Sequence, residues 1–308
     1  MLLLGEAKTL LIYCPHIYQQ HNDFLYSHKL QLLFSMASIK SRTNIIALIY
    51  DFDGTLSPGN MQEYRFMEAI GVDDKDAFWQ EVDQMRDMHN ANQILCSMRM
   101  MIEKARAAHV PITRLSFQNF GANIPLFPGV VEWFENINKI GEQLGLEVRH
   151  YINSSGMREM IEGTEIASYF SAIYASSFMY DENGVAVWPA SCIDFTNKTK
   201  ILSMINKGIE KLSQAEHVNQ VMPENERPIP FQHMIYFGDG ETDVPSMRMV
   251  REYGGHAICV YDPTNEKKVT LAKKLRLENR INSALPADYQ VGSMLYEHVA
   301  SLLKILAD

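Results

Sequence analysis

IIALIYDFDGTLS, residues 45–57, is the stretch from which the rest of the chain is read. Ile45 to Tyr50 run apolar or aromatic without alternation, the pattern of a strand buried on both faces of a parallel sheet. The run stops at Asp51-Phe52-Asp53-Gly54-Thr55. Side chains two apart in a strand share a face, so Asp51 and Asp53 are expected side by side at the carboxyl end, where open α/β sheets hold ligands. Two carboxylates this close repel each other unless a cation or a shared proton compensates them. The pair therefore points to Mg²⁺ beside one ionised carboxylate, with a second carboxyl able to carry a proton. DxD alone reads equally well as a polar strand end with two solvated acids. DxDGT directly after a buried apolar run is more specific, because Gly54 also allows a sharp turn and a close backbone approach to a ligand.

Composition sets the outer limits. The 308 residues are 46% hydrophobic and 21% charged, as in a soluble globular enzyme, and the length suggests about two domains. A formal charge of −9 argues against nonspecific binding to nucleic acid or to an anionic membrane. It leaves room for an anionic substrate held by a local cation. Cys14, Cys96, Cys192 and Cys259 are far apart with no CxxC pair, as expected of reduced thiols in a cytoplasmic protein. No run reaches the roughly 18 uninterrupted apolar residues of a membrane span. The leading MLLLGEAKTLLIYC is broken at Gly5-Glu6-Ala7-Lys8 and has no basic segment before it, so it is not read as a signal peptide. Residues 1–43 have no clear period and read as an N-terminal extension; nothing fixes His16, His21 and His28 as metal ligands. Met36, just ahead of the first strand, looks like a natural start, with 1–35 an appended leader.

After the DxDGT turn the pattern becomes helical, at about 60–70, 74–90, 91–108 and 113–120. Residues 59–125 read as a small helical cap inserted into an α/β core of 44–58 and 126–308. Phe127-Pro128-Gly129 opens a helix. A second strand near Leu146–Ile152 closes in Asn153-Ser154-Ser155-Gly156, and 172–189 read as a hairpin about Asp181-Glu182-Asn183-Gly184. Asn197-Lys198-Thr199-Lys200 heads a helix, and the proline-containing 213–230 reads as a surface loop. The strand His233–Phe237 ends in Gly238-Asp239-Gly240-Glu241-Thr242-Asp243. Ala257–Tyr261 forms a further strand, followed by a basic helix at 265–280 and an amphipathic one at 291–306. The six cations between Lys267 and Arg280 read as a solvated helix face.

Strands alternating with helices imply a doubly wound, mainly parallel sheet. Four loops then gather at its carboxyl edge, carrying Asp51 and Asp53, then Ser154, then Lys198, then Asp239 and Asp243. Singly, Ser154 is a polar strand end and Lys198 a surface lysine. The order D-x-D, Ser, Lys, G-D-x-x-x-D, over about residues 44–262, resembles the haloacid dehalogenase-like (HAD) hydrolases. Spacing and cap placement look most like the phosphoserine-phosphatase-like branch.

The resemblance implies a Rossmann-like core with an α-helical cap between the first two motifs. It also implies a Mg²⁺-dependent phosphatase for a small phosphorylated metabolite. Asp51 is then the nucleophile that forms an aspartyl-phosphate. The metal is held by Asp51, Asp239 and the backbone carbonyl of Asp53, with Asp243 ordering its surroundings. Ser154 donates to a phosphoryl oxygen, and Lys198 neutralises developing charge. Asp53 protonates the leaving alkoxide and later activates water. Dehalogenases of the family lack an acid at this position and transport ATPases carry Thr, so Asp53 favours a phosphatase. A phosphotransferase using the same intermediate is the related alternative. A phosphorylation-switched binding module like the response-regulator receivers is the distant one. Receivers are shorter and uncapped, and their lysine follows every acidic position, whereas Asp239 and Asp243 follow Lys198 here. The 43 residues between Ser154 and Lys198 leave no room for a second large cap. Glu63, Arg65, Arg86 and Arg99 are candidate specificity residues of the cap, but each reads more readily as an ordinary surface charge.

Overall fold

The structure is a computed structural model and describes residues 44–308. The expectations for His16, His21, His28, Cys14, Met36 and the N-terminal extension lie outside the described residues. Among the described residues no helix is long and apolar enough to cross a membrane.

Among the described residues seven strands form one sheet: β1 (Ile45–Tyr50), β2 (Glu147–Met157), β3 (Phe170–Tyr180), β4 (Ala186–Ser191), β5 (Met234–Gly238), β6 (His256–Tyr261) and β7 (Ser283–Pro286). Their order is β4-β3-β2-β1-β5-β6-β7, and the β3–β4 pair is antiparallel while the others run parallel. The unalternating run of β1 is explained by its place at the centre. Ile46, Leu48 and Tyr50 face one core and Ala47 and Ile49 the other, all fully buried. Among the described residues ten helices flank the sheet or lie between β1 and β2: α1 (Arg65–Ala69), α2 (Lys75–His89), α3 (Gln93–Ala107), α4 (Arg114–Gly121), α5 (Val130–Gln143), α6 (Arg158–Glu162), α7 (Phe195–Asn206), α8 (Val244–Glu252), α9 (Glu266–Leu277) and α10 (Met294–Ala307). The first core takes Trp133, Phe134 and Ile137 of α5 with Leu295, Val299 and Leu303 of α10. The second takes Ile201 and Ile205 of α7, Met247 and Val250 of α8, and Leu275 of α9. This is the doubly wound, mainly parallel architecture that the sequence implies.

Helices α1 to α4 occupy the segment between β1 and α5. Their starts are set by side-chain caps: Asp74 accepts from Ala77 N, Asn92 from Ile94 N, and Thr113 and Ser116 form a reciprocal capping box. Phe66, Phe78, Val82, Met98, Met101 and Phe117 bury their apolar faces. Helix α4 packs on α6 almost backbone to backbone. A Cβ at Gly121 would lie 1.9 Å from Met160 O, and one at Gly163 would lie 1.9 Å from Gln118 O. Ahead of α4, Ile112 O accepts from Ala186 N of β4 at 2.8 Å and Thr113 bridges to Val185.

A buried polar chain runs under the carboxyl end of β1. Trp133 Nε1 donates to Tyr50 Oη at 2.9 Å, Tyr50 Oη lies 3.0 Å from His150 Nδ1, and His150 Nε2 lies 3.0 Å from Asn138 Oδ1. Indole can only donate, so Tyr50 accepts from it and passes its own proton to Nδ1. Nε2–H is then left for Asn138, and every member is satisfied by a neutral imidazole. Burial lowers the pKa of His150 to about 3.

Three elements depart from the sequence reading. The helix expected at 60–70 is a 3₁₀ turn at Met61–Glu63 followed by the short α1. β2 continues to Met157, so Ser154 sits within the strand rather than just past it. The loop expected at 213–230 contains 3₁₀ turns at Leu212–Asn219 and Glu224–Glu226.

Candidate active site

Strand register assembles the site. Tyr50 lies opposite Ile152 of β2 and Phe237 of β5, which brings Asp51, Asn153-Ser154 and Gly238-Asp239 to one level at the carboxyl edge. The backbone continues the ladder one step further, with Asp51 N donating to Phe237 O at 2.9 Å. Lys198 enters from the first turn of α7, whose start is capped by Asp194. Asn153 Nδ2 donates to Lys198 O at 3.0 Å and ties that turn to β2.

Lys198 is fully buried, with Nζ 2.8 Å from Asp51 Oδ2 and 2.7 Å from Asp243 Oδ1. Asp243, equally buried, also accepts from Tyr236 Oη at 2.7 Å and from Asp239 N at 3.3 Å. It is thus the anchor that holds the lysine. Asp51 Oδ1 accepts from Phe52 N at 2.7 Å. Asp53, half-buried, accepts from Met61 N at 2.9 Å, the point where the helical segment first touches the motif. Ser154 Oγ accepts from Gly156 N at 3.0 Å, which leaves its hydroxyl proton to donate elsewhere. Gly54, at φ +75°, is required by this crowding, because a Cβ there would lie 2.1 Å from Asp239 Oδ2.

The electrostatics follow from this enclosure. Burial, reinforced by the charge of Asp243, raises Asp51 to about 7 in spite of Lys198. Enclosure, and then the Asp51 charge, push Asp53 well above the usual carboxylate range. Asp239 is raised by burial against the pull of Lys268. Burial opposes the charge on Lys198, yet the two carboxylates outweigh it and hold the ammonium above its ordinary pKa.

One carboxylate oxygen from each of Asp51, Asp239 and Asp243 lies within 4.8 Å of the others. Four acids share this edge with two lysines, Lys198 and Lys268, so negative charge is in excess. The donors are all oxygen, the set a hard divalent cation such as Mg²⁺ takes. Thr55 Oγ1, two residues past Asp53, and Asn153 Oδ1, beside Ser154 in β2, are buried without a hydrogen-bond partner. The residues present fit such an ion. The carboxylate of Asp53 stands outside the three-oxygen group.

Lys268 joins the site unexpectedly: it belongs to the basic helix that the charge pattern gives as a solvated face, but from α9 its Nζ pairs with Asp239 Oδ2. Its only sequence signal was its place on the helix after β6. Tyr236 and Asn153, which position Lys198, were likewise hidden in strand patterns. Arg65, Arg86 and Arg99 pair with nearby carboxylates Glu68, Asp83 and Glu103, while Glu63 accepts from Trp79 Nε1 at 2.8 Å.

Comparison with known proteins places this geometry in a wider group. Residues 48–248 match the haloacid dehalogenase-like hydrolase family. An uncharacterized protein of Borreliella burgdorferi is 31% identical over 288 residues, covering 85% of this chain and 97% of that protein. A HAD family hydrolase from Salmonella enterica serovar Typhi has a TM-score of 0.47 at 16% identity, over 73% of this chain and 66% of the other. A probable phosphoserine phosphatase from Vibrio cholerae has a TM-score of 0.49 at 13% identity, over 85% and 66%. The chain thus spans just under two thirds of each of these two solved structures.

Proposed function

The chain belongs to the haloacid dehalogenase-like hydrolases, and from that premise we propose that it is a Mg²⁺-dependent phosphatase that hydrolyses a small phosphomonoester through an aspartyl-phosphate on Asp51. The observation that carries this reading is the buried Asp51–Lys198–Asp243 ion triad, with a second enclosed acid, Asp53, two residues along. Bound Mg²⁺, held by Asp51, Asp239 and the Asp53 backbone carbonyl, would offset the charge of the phosphate dianion.

The chain's own residues supply the rest. Lys198, fixed by Asp243, lies against the nucleophilic carboxylate and keeps it from being repelled by the incoming phosphate. The Asp51 oxygen attacks phosphorus while Asp53, whose raised pKa favours the protonated form, gives its proton to the leaving alkoxide. Asp53, now ionised, takes a proton from water as that water attacks the phospho-enzyme, which releases phosphate and restores both carboxyls. Ser154 donates to a phosphoryl oxygen. The helical segment 59–125 serves as the cap, enclosing a small substrate and excluding water during the first step.

The test is a screen of phosphorylated metabolites with Mg²⁺, comparing wild type with Asp51→Asn. Phosphate release by wild type alone, with ³²P retained on a peptide containing Asp51, supports the reading. Equal release by both proteins refutes it.

A further inference from the structure

A second polar cavity lies away from the catalytic cluster, at the edge of the sheet. β4 pairs with β3 from Ser177 to Tyr180, so the earlier part of β3 has no strand neighbour on that side. The gap is bounded by the chain after β4, by Lys200 of α7, and by residues 210–213. It encloses about 600 Å³, and none of Asp51, Asp53, Ser154, Lys198, Asp239 or Asp243 lines it.

Its charge is unusual for a chain of net −9. Arg158, Lys200 and Lys211 line it against a single carboxylate, Glu210. Arg158 is held in place by a chain of hydroxyls. Its Nη2 donates to Ser177 Oγ at 3.1 Å, Ser177 lies 2.8 Å from Ser191 Oγ, and Ser191 donates to Ala175 O at 2.9 Å. The guanidinium pairs with no carboxylate among the described residues, and its Nε is buried without any hydrogen-bond partner. A buried, unsatisfied donor on a charged group is costly and calls for an acceptor. Lys200 sits two residues past Lys198, turned about 200° around α7, so one helix sends one lysine to the catalytic carboxylates and another to this cavity. The floor is apolar, from Ile173 and Ile193, and the volume falls in the range of sites for small organic ligands.

We infer that this cavity is a second ligand site, one that takes a small organic anion with its anionic head on Arg158 and Lys200 and its apolar body against Ile173 and Ile193. Fluorescence titration of the full chain with 8-anilino-1-naphthalenesulfonate, an aromatic anion, tests it. One saturable site is expected, weakened at least tenfold by Arg158→Gln and several-fold by Lys200→Gln, with hydrolysis unchanged in either. Glu210→Gln removes the opposing carboxylate and tightens binding, an effect that adsorption to apolar surface alone does not produce. Asp51→Asn leaves the titration unchanged. Lys200→Gln and Glu210→Gln alter half-buried and exposed side chains, so they report even where Arg158→Gln fails to fold. Dye binding that ignores both the Lys200 and the Glu210 substitutions, or that disappears in Asp51→Asn, overturns the assignment.

Discussion

The chain from Trp133 through Tyr50 and His150 to Asn138 makes a prediction about acid stability that does not depend on the reaction. His150 is buried with both nitrogens engaged, Nδ1 accepting from Tyr50 and Nε2 donating to Asn138. Protonation would put a second donor against the Tyr50 hydroxyl, whose oxygen already accepts from Trp133. Burial lowers the pKa of His150 to about 3 in the folded protein, against 6.5 for an unperturbed histidine. A base with a depressed folded pKa contributes stability that is fully present above its unfolded pKa and lost as pH falls. Between pH 7 and pH 5 the unfolded chain gains a proton at this position and the folded one does not, which costs about 2 kcal/mol of unfolding free energy. His150→Gln removes the titration while keeping a group that can accept and donate. Urea unfolding of both proteins at pH 7 and pH 5, in chelator, isolates the effect, because other titrating groups cancel in the double difference. Wild type should lose about 2 kcal/mol more than the variant over this interval. Equal losses would mean that the imidazole is protonated without penalty and that the assigned chain of donors is wrong.

The remaining predictions concern the site. Chelation should abolish phosphate release, and Mg²⁺ should restore it better than the larger Ca²⁺; full activity in excess chelator refutes the metal assignment. Lys198→Ala should lower kcat by about 10²–10³-fold, while Lys200→Ala, which faces the edge cavity, should leave kcat near wild type; steady-state assays giving the reverse ranking would exchange their roles. Asp53→Asn should show a burst of phenol from an aryl phosphate with an acidic leaving group and no burst from an alkyl phosphate, since only the alkoxide needs a proton to leave. Undiminished turnover of both esters would remove Asp53 from the proton transfers.

How far the sequence can be read depends on whether a residue's partner is local or distant. Asp51 and Asp53 stand out because the buried run before them is contiguous, and the central position of β1 accounts for its lack of alternation. Lys198 is weak alone and is recognised only by its order among the motifs; Asp243 and Tyr236, which hold it, lie 45 and 38 residues away. Lys268 was lost among five other cations because nothing in a helical charge pattern says which one turns inward to Asp239. β7 passed unread since its four residues, Ser-Ala-Leu-Pro, carry no strand pattern and are recruited by pairing with β6. His150 and Tyr50 each sit in an ordinary strand, and their hydrogen bond spans 100 residues.

The packing of Gly121 on the Met160 backbone, and of Gly163 on that of Gln118, bears on how new substrate ranges could be built on this scaffold. Where two backbones meet with no side chain between them, neither partner can slide or be replaced by a bulkier residue without parting the pair. Helix α4 is thereby riveted to α6, and the hydrogen bond from Ala186 to Ile112 fastens the residues just ahead of it. The stretch from Asn60 to Val110 is held to the core by side chains instead, Asn92 Nδ2 donating to Asp194 Oδ2 at 2.9 Å, and it reaches the fastened part through His109, at φ +56°, and Pro111. In engineering terms that stretch is an exchangeable cassette and 112–121 its socket. Grafts that respect this seam should preserve the fold, whereas grafts cut at 125 would carry the socket away with the cassette.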